Sequence, residues 1–177
     1  MNLLFRLIWT LLRSPFRKPC ALLGPCVTPF ITLLNDLDVL LHMNNGRYLT
    51  LLDLARLDLL IRSGLHKKIR RGYYPVVTAE TIQFRKSLQL FQKFTIVTKV
   101  LGWDEKYFFL EQTFMRKNTV VALAHIQARI LHKSGKPTTP AHILELINYQ
   151  ESSPKLPEWL QEWSVHQQIL KTQIKGN

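Results

Sequence analysis

Asp38, His42, Asn44 and Asn45 bring a carboxylate, an imidazole and two amides together in one short stretch of the chain. A carboxylate can activate water or attack a carbonyl directly, and an imidazole four residues on can share the proton or orient the carboxylate. Amide groups can hold the oxyanion that develops as an acyl carbon turns tetrahedral. Hydrolysis of an acyl compound is the chemistry these residue types suit. Each also has a commoner structural job. An aspartate in a turn accepts hydrogen bonds from nearby backbone, and an asparagine ahead of an apolar run caps the helix that follows. A loop histidine is often held by backbone alone. From these residues alone, Asp38 reads as a turn aspartate and at least one of Asn44 and Asn45 as a cap.

The hydrophobic pattern places the elements that must position them. The run 45–61 carries leucines on nearly every side and ends at Ser63-Gly64-Leu65, which predicts a long, enclosed helix with a glycine C-terminal cap. Its first residues, Asn45, Gly46 and Arg47, expose unpaired amides and the positive end of the helix dipole, a candidate oxyanion site. Ahead of it, residues 27–34 suit a first strand interrupted by Pro29, and Asn35-Asp36-Leu37-Asp38 suits a turn. Behind it, a period of two in β-branched and aromatic residues marks strands over 75–84, 91–102, 106–114 and 119–132, joined by connections short enough for antiparallel hairpins. One strand, one buried helix and four strands make an α+β domain, its sheet curled around the central helix.

Both ends add helices. Over residues 3–12, Arg6 and Thr10 interrupt an apolar run, and with Arg13 they form one stripe of an amphipathic helix, well short of the ~20 apolar residues that span a bilayer. It is expected to be an uncleaved interfacial anchor with Arg17 and Lys18 at the headgroups; the alternative is packing on its own domain or a partner subunit. Near the other end, Thr139-Pro140 opens a short helix to about Ile147, and residues 158–171 read as a partly apolar surface helix. The expected division is 1–26 for the helix and basic linker, 27–135 for the domain and 136–177 for the helical extension.

A formal charge of +12 calls for an anionic partner: lipid, nucleic acid or a negatively charged substrate. Arg70, Arg71, Arg85 and Lys86 are candidates for holding phosphates. No recognition motif accompanies the basic clusters, so no nucleic-acid partner is expected. Cys20 and Cys26 make no disulfide framework, offer too few ligands for zinc, and suit a reducing, cytoplasmic location, with peripheral contact at the inner face of a membrane through residues 1–18. The remaining histidines lack metal-ligand spacing, and no metal is expected. Glu80, in a strand otherwise lined by Val76, Val77, Ile82 and Phe84, is a weaker candidate for a second carboxylate.

The segment Asp36-Leu37-Asp38-Val39-Leu40-Leu41-His42-Met43-Asn44-Asn45-Gly46-Arg47-Tyr48-Leu49 resembles the Asp-x-Asp-x-x-Gly-His-x-Asn-Asn-x-x-Tyr-Leu signature of hotdog acyl-CoA thioesterases. Arg85-Lys86-Ser87-Leu88 and Leu101-Gly102-Trp103-Asp104 are similar to the thioesterase superfamily member 6-like group within the 4-hydroxybenzoyl-CoA thioesterase-like proteins. The resemblance covers about residues 27–135. It implies a hotdog fold with a curled antiparallel sheet of about five to six strands, and hydrolysis of a fatty or related acyl-CoA with Asp38 as base or nucleophile. It also implies supporting roles for His42, Asn44 and Asn45, and substrate contacts from Leu40, Leu41, Tyr48, Arg85 and Lys86. Coenzyme A enters only as part of the substrate, with no bound cofactor, and the assembly is a homodimer or homotetramer. Two residues depart from the pattern: Leu41 stands where many relatives have glycine, and Leu40 where acyl-carrier thioesterases place a catalytic asparagine. They keep open a membrane-associated acyl- or lipid-binding protein that does not hydrolyse. A hotdog hydratase or dehydratase, which also pairs aspartate with histidine, ranks third.

Overall fold

The computed structural model describes residues 2–69 and 72–175, so Arg70 and Arg71, named above as phosphate ligands, lie outside the described residues. α1 (Asn2–Arg13) and a 3-10 turn (Ser14–Phe16) lead to β1 (Cys26–Ile31). A second 3-10 turn (Leu34–Asp36) and the loop 37–44 lead to α2 (Asn45–Arg62) and the short α3 (Leu65–Ile69). β2 (Tyr73–Phe84), β3 (Lys93–Trp103), β4 (Phe108–Arg116) and β5 (Thr119–His132) follow, then α4 (Pro140–Leu146) and α5 (Glu158–Lys175). The strands form one antiparallel sheet in the order β1-β3-β4-β5-β2. This is the hotdog architecture, α2 lying in the curl of the sheet.

Leu51, Leu52, Leu54, Ala55 and Leu59 of α2 are buried against Phe94 and Ile96 of β3, Phe114 of β4, and Ala122, Ala124 and Ile126 of β5. A leucine taken fully out of water contributes about 2 kcal/mol, so this face of α2 holds the helix in place. Asn44 caps its N-terminus and Gly64, at φ 74°, follows the Ser63 C-cap, as the sequence pattern predicts. The prolines of β1 and β2, Pro29 and Pro75, sit in the two edge strands, where a missing ladder N–H is tolerated.

Strand ends differ from the period-two pattern for local reasons. β1 stops at Ile31 because Leu33 donates its N–H to the Asp36 carboxylate (2.8 Å) and the chain enters a 3-10 turn. β3 begins at Lys93 because Phe91 turns at φ 57°. β4 begins at Phe108 because the N–H groups of Lys106 and Tyr107 both donate to Asp104 Oδ1 at 2.7 Å. Between β4 and β5, Lys117 and Asn118 both adopt left-handed conformations, the two-residue turn whose twist matches the flanking strands. Gly102 is required by close approach: a Cβ there would come within 2.7 Å of Ser153 Oγ.

The outer face of the sheet is covered by α5. Leu160 packs with Tyr107 and Phe109, and Gln127 Nε2 donates to Ser164 Oγ at 3.0 Å. α4 closes one end of the sheet with Ile143 and Leu144 against Ile69 and Ile130. At the other terminus α1 lies with its polar side inward: Arg6 and Thr10 are buried. Arg17 also turns inward, pairing with buried Asp58 at 3.3 Å, which corrects the expectation that it reaches headgroups. No helix among the described residues is long and apolar enough to cross a membrane.

Candidate active site

The loop ahead of α2 closes on itself. Asp38 N–H donates to His42 O at 2.8 Å and Leu41 N–H to Asp38 O at 3.0 Å. The side chain joins in: Asp38 Oδ1 accepts from Leu40 N–H (2.9 Å) and His42 N–H (3.3 Å). One carboxylate oxygen therefore does the work of a turn aspartate. Among the described residues nothing hydrogen-bonds the other, Oδ2, on this half-buried side chain. One oxygen of the group is engaged by the turn and the other is left open. Leu41 completes the turn at φ 58°, a left-handed conformation that costs a residue with a Cβ about 1 kcal/mol. A glycine would adopt this conformation without that cost.

Asn44 is the N-cap of α2. Its Oδ1 accepts from Gly46 N–H at 2.9 Å and its backbone oxygen from Arg47 N–H at 2.9 Å. Two of the three amides expected to face an oxyanion are thereby occupied. The Asn45 N–H, first of the helix, has no partner among the described residues. The Arg47 side chain is committed too: Nε and Nη2 both reach Asp36 Oδ1 at 3.1 Å. Asp36 is fully buried and also accepts from Arg6 Nη2 of α1, while its carbonyl takes Asn44 N–H at 2.8 Å. Burial lowers the pKa of the Arg6 guanidinium, Asp36 works against that, and the nearby Arg47 charge adds to it. The Asp36 clamp, which the sequence pattern does not reveal, ties α1 and α2 to the start of the reactive loop.

The His42 imidazole has no hydrogen-bond partner among the described residues; the backbone of His42 bridges to Gln89. Met43 N–H donates to Leu88 O at 2.7 Å, so the segment after β2 lies beside the reactive loop. Exposed Arg85 and Lys86 begin that segment, both with backbone N–H groups on Val121 O. Tyr48 is buried, its ring 5.0 Å from Phe84 and 4.9 Å from Phe114, and burial raises its hydroxyl pKa. Leu40 and Leu41, with Val39, are exposed. Asp38, His42, Asn44, Asn45, Arg85 and Lys86 are therefore at one end of α2, with Tyr48 in the core beneath them.

A cavity of about 370 Å³ lies elsewhere. It is lined by the second half of α2, including Leu57, Leu59 and Leu60, by Val76 and Val77 of β2, and by Ile143 of α4, with Asp53 and Arg56 among its few polar residues. None of Asp38, His42, Asn44 and Asn45 lines it, and the first α2 residue that does, Asp53, is about 12 Å along the helix from Asn45. Glu80 sits on β2 near its polar part. Partial desolvation raises the Glu80 pKa, the Arg56 charge opposes that shift, and Asp53 reinforces it. Arg56 pairs with Asp53 and donates to Gln112 Oε1 at 2.7 Å. Among the described residues there is no group of three or more side chains suited to a metal ion.

Residues 32–164 match the family model described as the thioesterase-like superfamily. The chain belongs to this superfamily. Protein THEM6 of Danio rerio is 36% identical over 161 residues, covering 88% of this chain and 77% of that protein. Protein THEM6 of Drosophila melanogaster is 34% identical over 133 residues, 72% of this chain and 66% of its own. A probable thioesterase of Saccharomyces cerevisiae is 25% identical over 127 residues, 70% of this chain and 55% of its own. Among solved structures, the probable thioesterase YbaW of Escherichia coli superposes with a TM-score of 0.64 at 26% identity, over 70% of this chain and 96% of its own.

Proposed function

We propose that the protein is a thioesterase that hydrolyses a fatty or related acyl-CoA to the free acid and coenzyme A. The observation that carries this is the division of the Asp38 carboxylate, Oδ1 pinned by two backbone amides and Oδ2 without a hydrogen-bond partner among the described residues, in the loop that leads into α2, whose first amide, Asn45 N–H, is also unpaired there. Asp38 Oδ2 takes a proton from water as the water oxygen attacks the thioester carbon; direct attack by Oδ2 to form an anhydride, then hydrolysed, is the variant route. The developing oxyanion accepts from Asn45 N–H at the positive end of α2. Collapse expels the thiolate, a weak base at neutral pH compared with an alkoxide, and so a leaving group that needs little help from an acid. His42, its imidazole uncommitted, orients the substrate or returns the proton. Arg85 and Lys86 hold the phosphates of coenzyme A as charge-assisted donors.

The distance between Asp38 and the apolar cavity is met by a homodimer. β2 is a 12-residue edge strand beside that cavity, and pairing it with a second copy brings the reactive loop of one chain toward the acyl cavity of the other. Leu40 and Leu41, exposed beside Asp38, favour a second possibility, an acyl-binding protein that does not hydrolyse. A panel of acyl-CoAs of graded chain length, followed by free-thiol release, separates the two. Catalytic release on some member is expected; stoichiometric binding with no thiol release on any of them would establish the binding protein instead.

A further inference from the structure

α1 is seated the opposite way round from an ordinary surface helix. Its polar stripe faces the domain: Arg6 and Thr10 are buried, and Arg6 Nη2 donates to Asp36 and to Ile31 O (2.9 Å). Ser14 Oγ also lies 2.5 Å from Asp58 Oδ1, a fully buried carboxylate that Arg17 reaches at 3.3 Å. Leu4, Phe5, Ile8, Trp9, Leu12 and Phe16 are left on the surface, Phe5 at 73% exposure and Phe16 at 91%. Turning that row inward would strand Asp36 and Asp58 without these partners, so the two buried carboxylates fix its outward presentation. Contiguous large apolar side chains left exposed along one helix face mark a contact.

The charges around the patch select its occupant. Residues 1–35 contain no aspartate or glutamate. Arg13 and Lys18 are exposed on the same segment, and the Arg13 guanidinium sits 4.7 Å from the Trp9 ring centroid. Aromatic and leucine side chains on one face with basic residues at its border are the pattern of a helix lying in the headgroup region of an anionic bilayer.

We propose that α1 lies in the surface of an anionic lipid bilayer, Phe5, Trp9 and Phe16 reaching the acyl-chain boundary and Arg13 and Lys18 the headgroup phosphates. The Arg6–Asp36–Arg47 bridge then holds the Asp38 loop at that surface, because Asp36 precedes Asp38 by two residues. The second half of this inference rests on the thioesterase proposal and narrows the substrate class to acyl thioesters taken from a membrane surface.

The full chain is tested by sedimentation with vesicles of phosphatidylcholine and phosphatidylserine, and with phosphatidylcholine alone. The comparison is the double variant Phe5→Glu/Trp9→Glu, whose two positions are exposed, with circular dichroism checking the fold. The wild type is expected to sediment with the anionic vesicles and less with the neutral ones, and the variant to bind at least about tenfold more weakly. Hydrolysis of a short, water-soluble acyl-CoA is expected to be the same for both. Absence of vesicle binding by the wild type, or equal binding by both forms, would overturn the proposal. So would a fall in oligomeric mass in the variant without vesicle binding by the wild type, which would assign the face to a protein contact. Vesicle binding with no thiol release by any form would remove the hydrolase and leave the lipid contact standing.

Discussion

At the scale of single residues, Leu41 is where this chain departs most plainly from its family signature, and its φ of 58° shows what the departure costs. Replacing it by glycine removes the Cβ from a left-handed position but loosens the unfolded chain, so Leu41→Gly is expected to raise stability by about 0.5–1 kcal/mol. A higher urea midpoint at unchanged slope would show this; an unchanged or lower midpoint would mean the leucine side chain contributes packing that outweighs the strain. Asp38 as a turn aspartate and a cap from Asn44 or Asn45 were legible in the sequence because both interactions are local, within a few residues; the structure assigns the cap to Asn44. Asp36 was not legible as a clamp. Its partners Arg6 and Arg47 are 30 and 11 residues away, and only the fold brings them to one carboxylate.

At the scale of elements, α2 carries a second hidden carboxylate. Asp58 is enclosed although the helix pattern gives no reason to single it out, and its oxygens receive Ser14 Oγ, Thr28 Oγ1 (2.7 Å), Arg62 Nη1 (3.0 Å) and Arg17 Nη1. Burial pushes its pKa up, but the hydrogen bonds from Ser14, Thr28 and Arg62 outweigh that and hold it below the usual carboxylate value. Asp58 thus joins the segment 14–17 that follows α1 to β1 and α2. Asp58→Ala leaves buried donors unpaired and is expected to cost about 3 kcal/mol in chemical denaturation, while a loss under 1 kcal/mol would mean these contacts are replaced by water. The identity of the five strands and of α1, α2, α4 and α5 was legible, from period two and from the apolar runs with their caps, whereas the short α3 after Gly64 was not. Element ends were not, because side chains such as Asp104 and Asp36 claim backbone amides that the hydrophobic pattern counts as strand. The amphipathic character of α1 was also legible, but not its seating, which depends on the two distant carboxylates.

At the scale of the whole molecule, the Asp38 loop and the apolar cavity stand at different places along α2, and no residue of that loop lines the cavity. Sedimentation equilibrium is expected to give about twice the 20.7 kDa chain mass; a monomer at every concentration that still turns over substrate would contradict assembly across β2. Fold and family follow from pattern and comparison together, whereas the catalytic assignment depends on one side chain. Steady-state hydrolysis of the best acyl-CoA by wild type and Asp38→Asn, with substrate binding measured alongside, bears on it most directly. Asparagine retains the Oδ1 acceptor that holds the turn and removes the base, so the variant is expected to fold and bind as before with kcat lowered at least about a hundredfold. An unchanged kcat in a folded variant would show that Asp38 is a turn residue and nothing more.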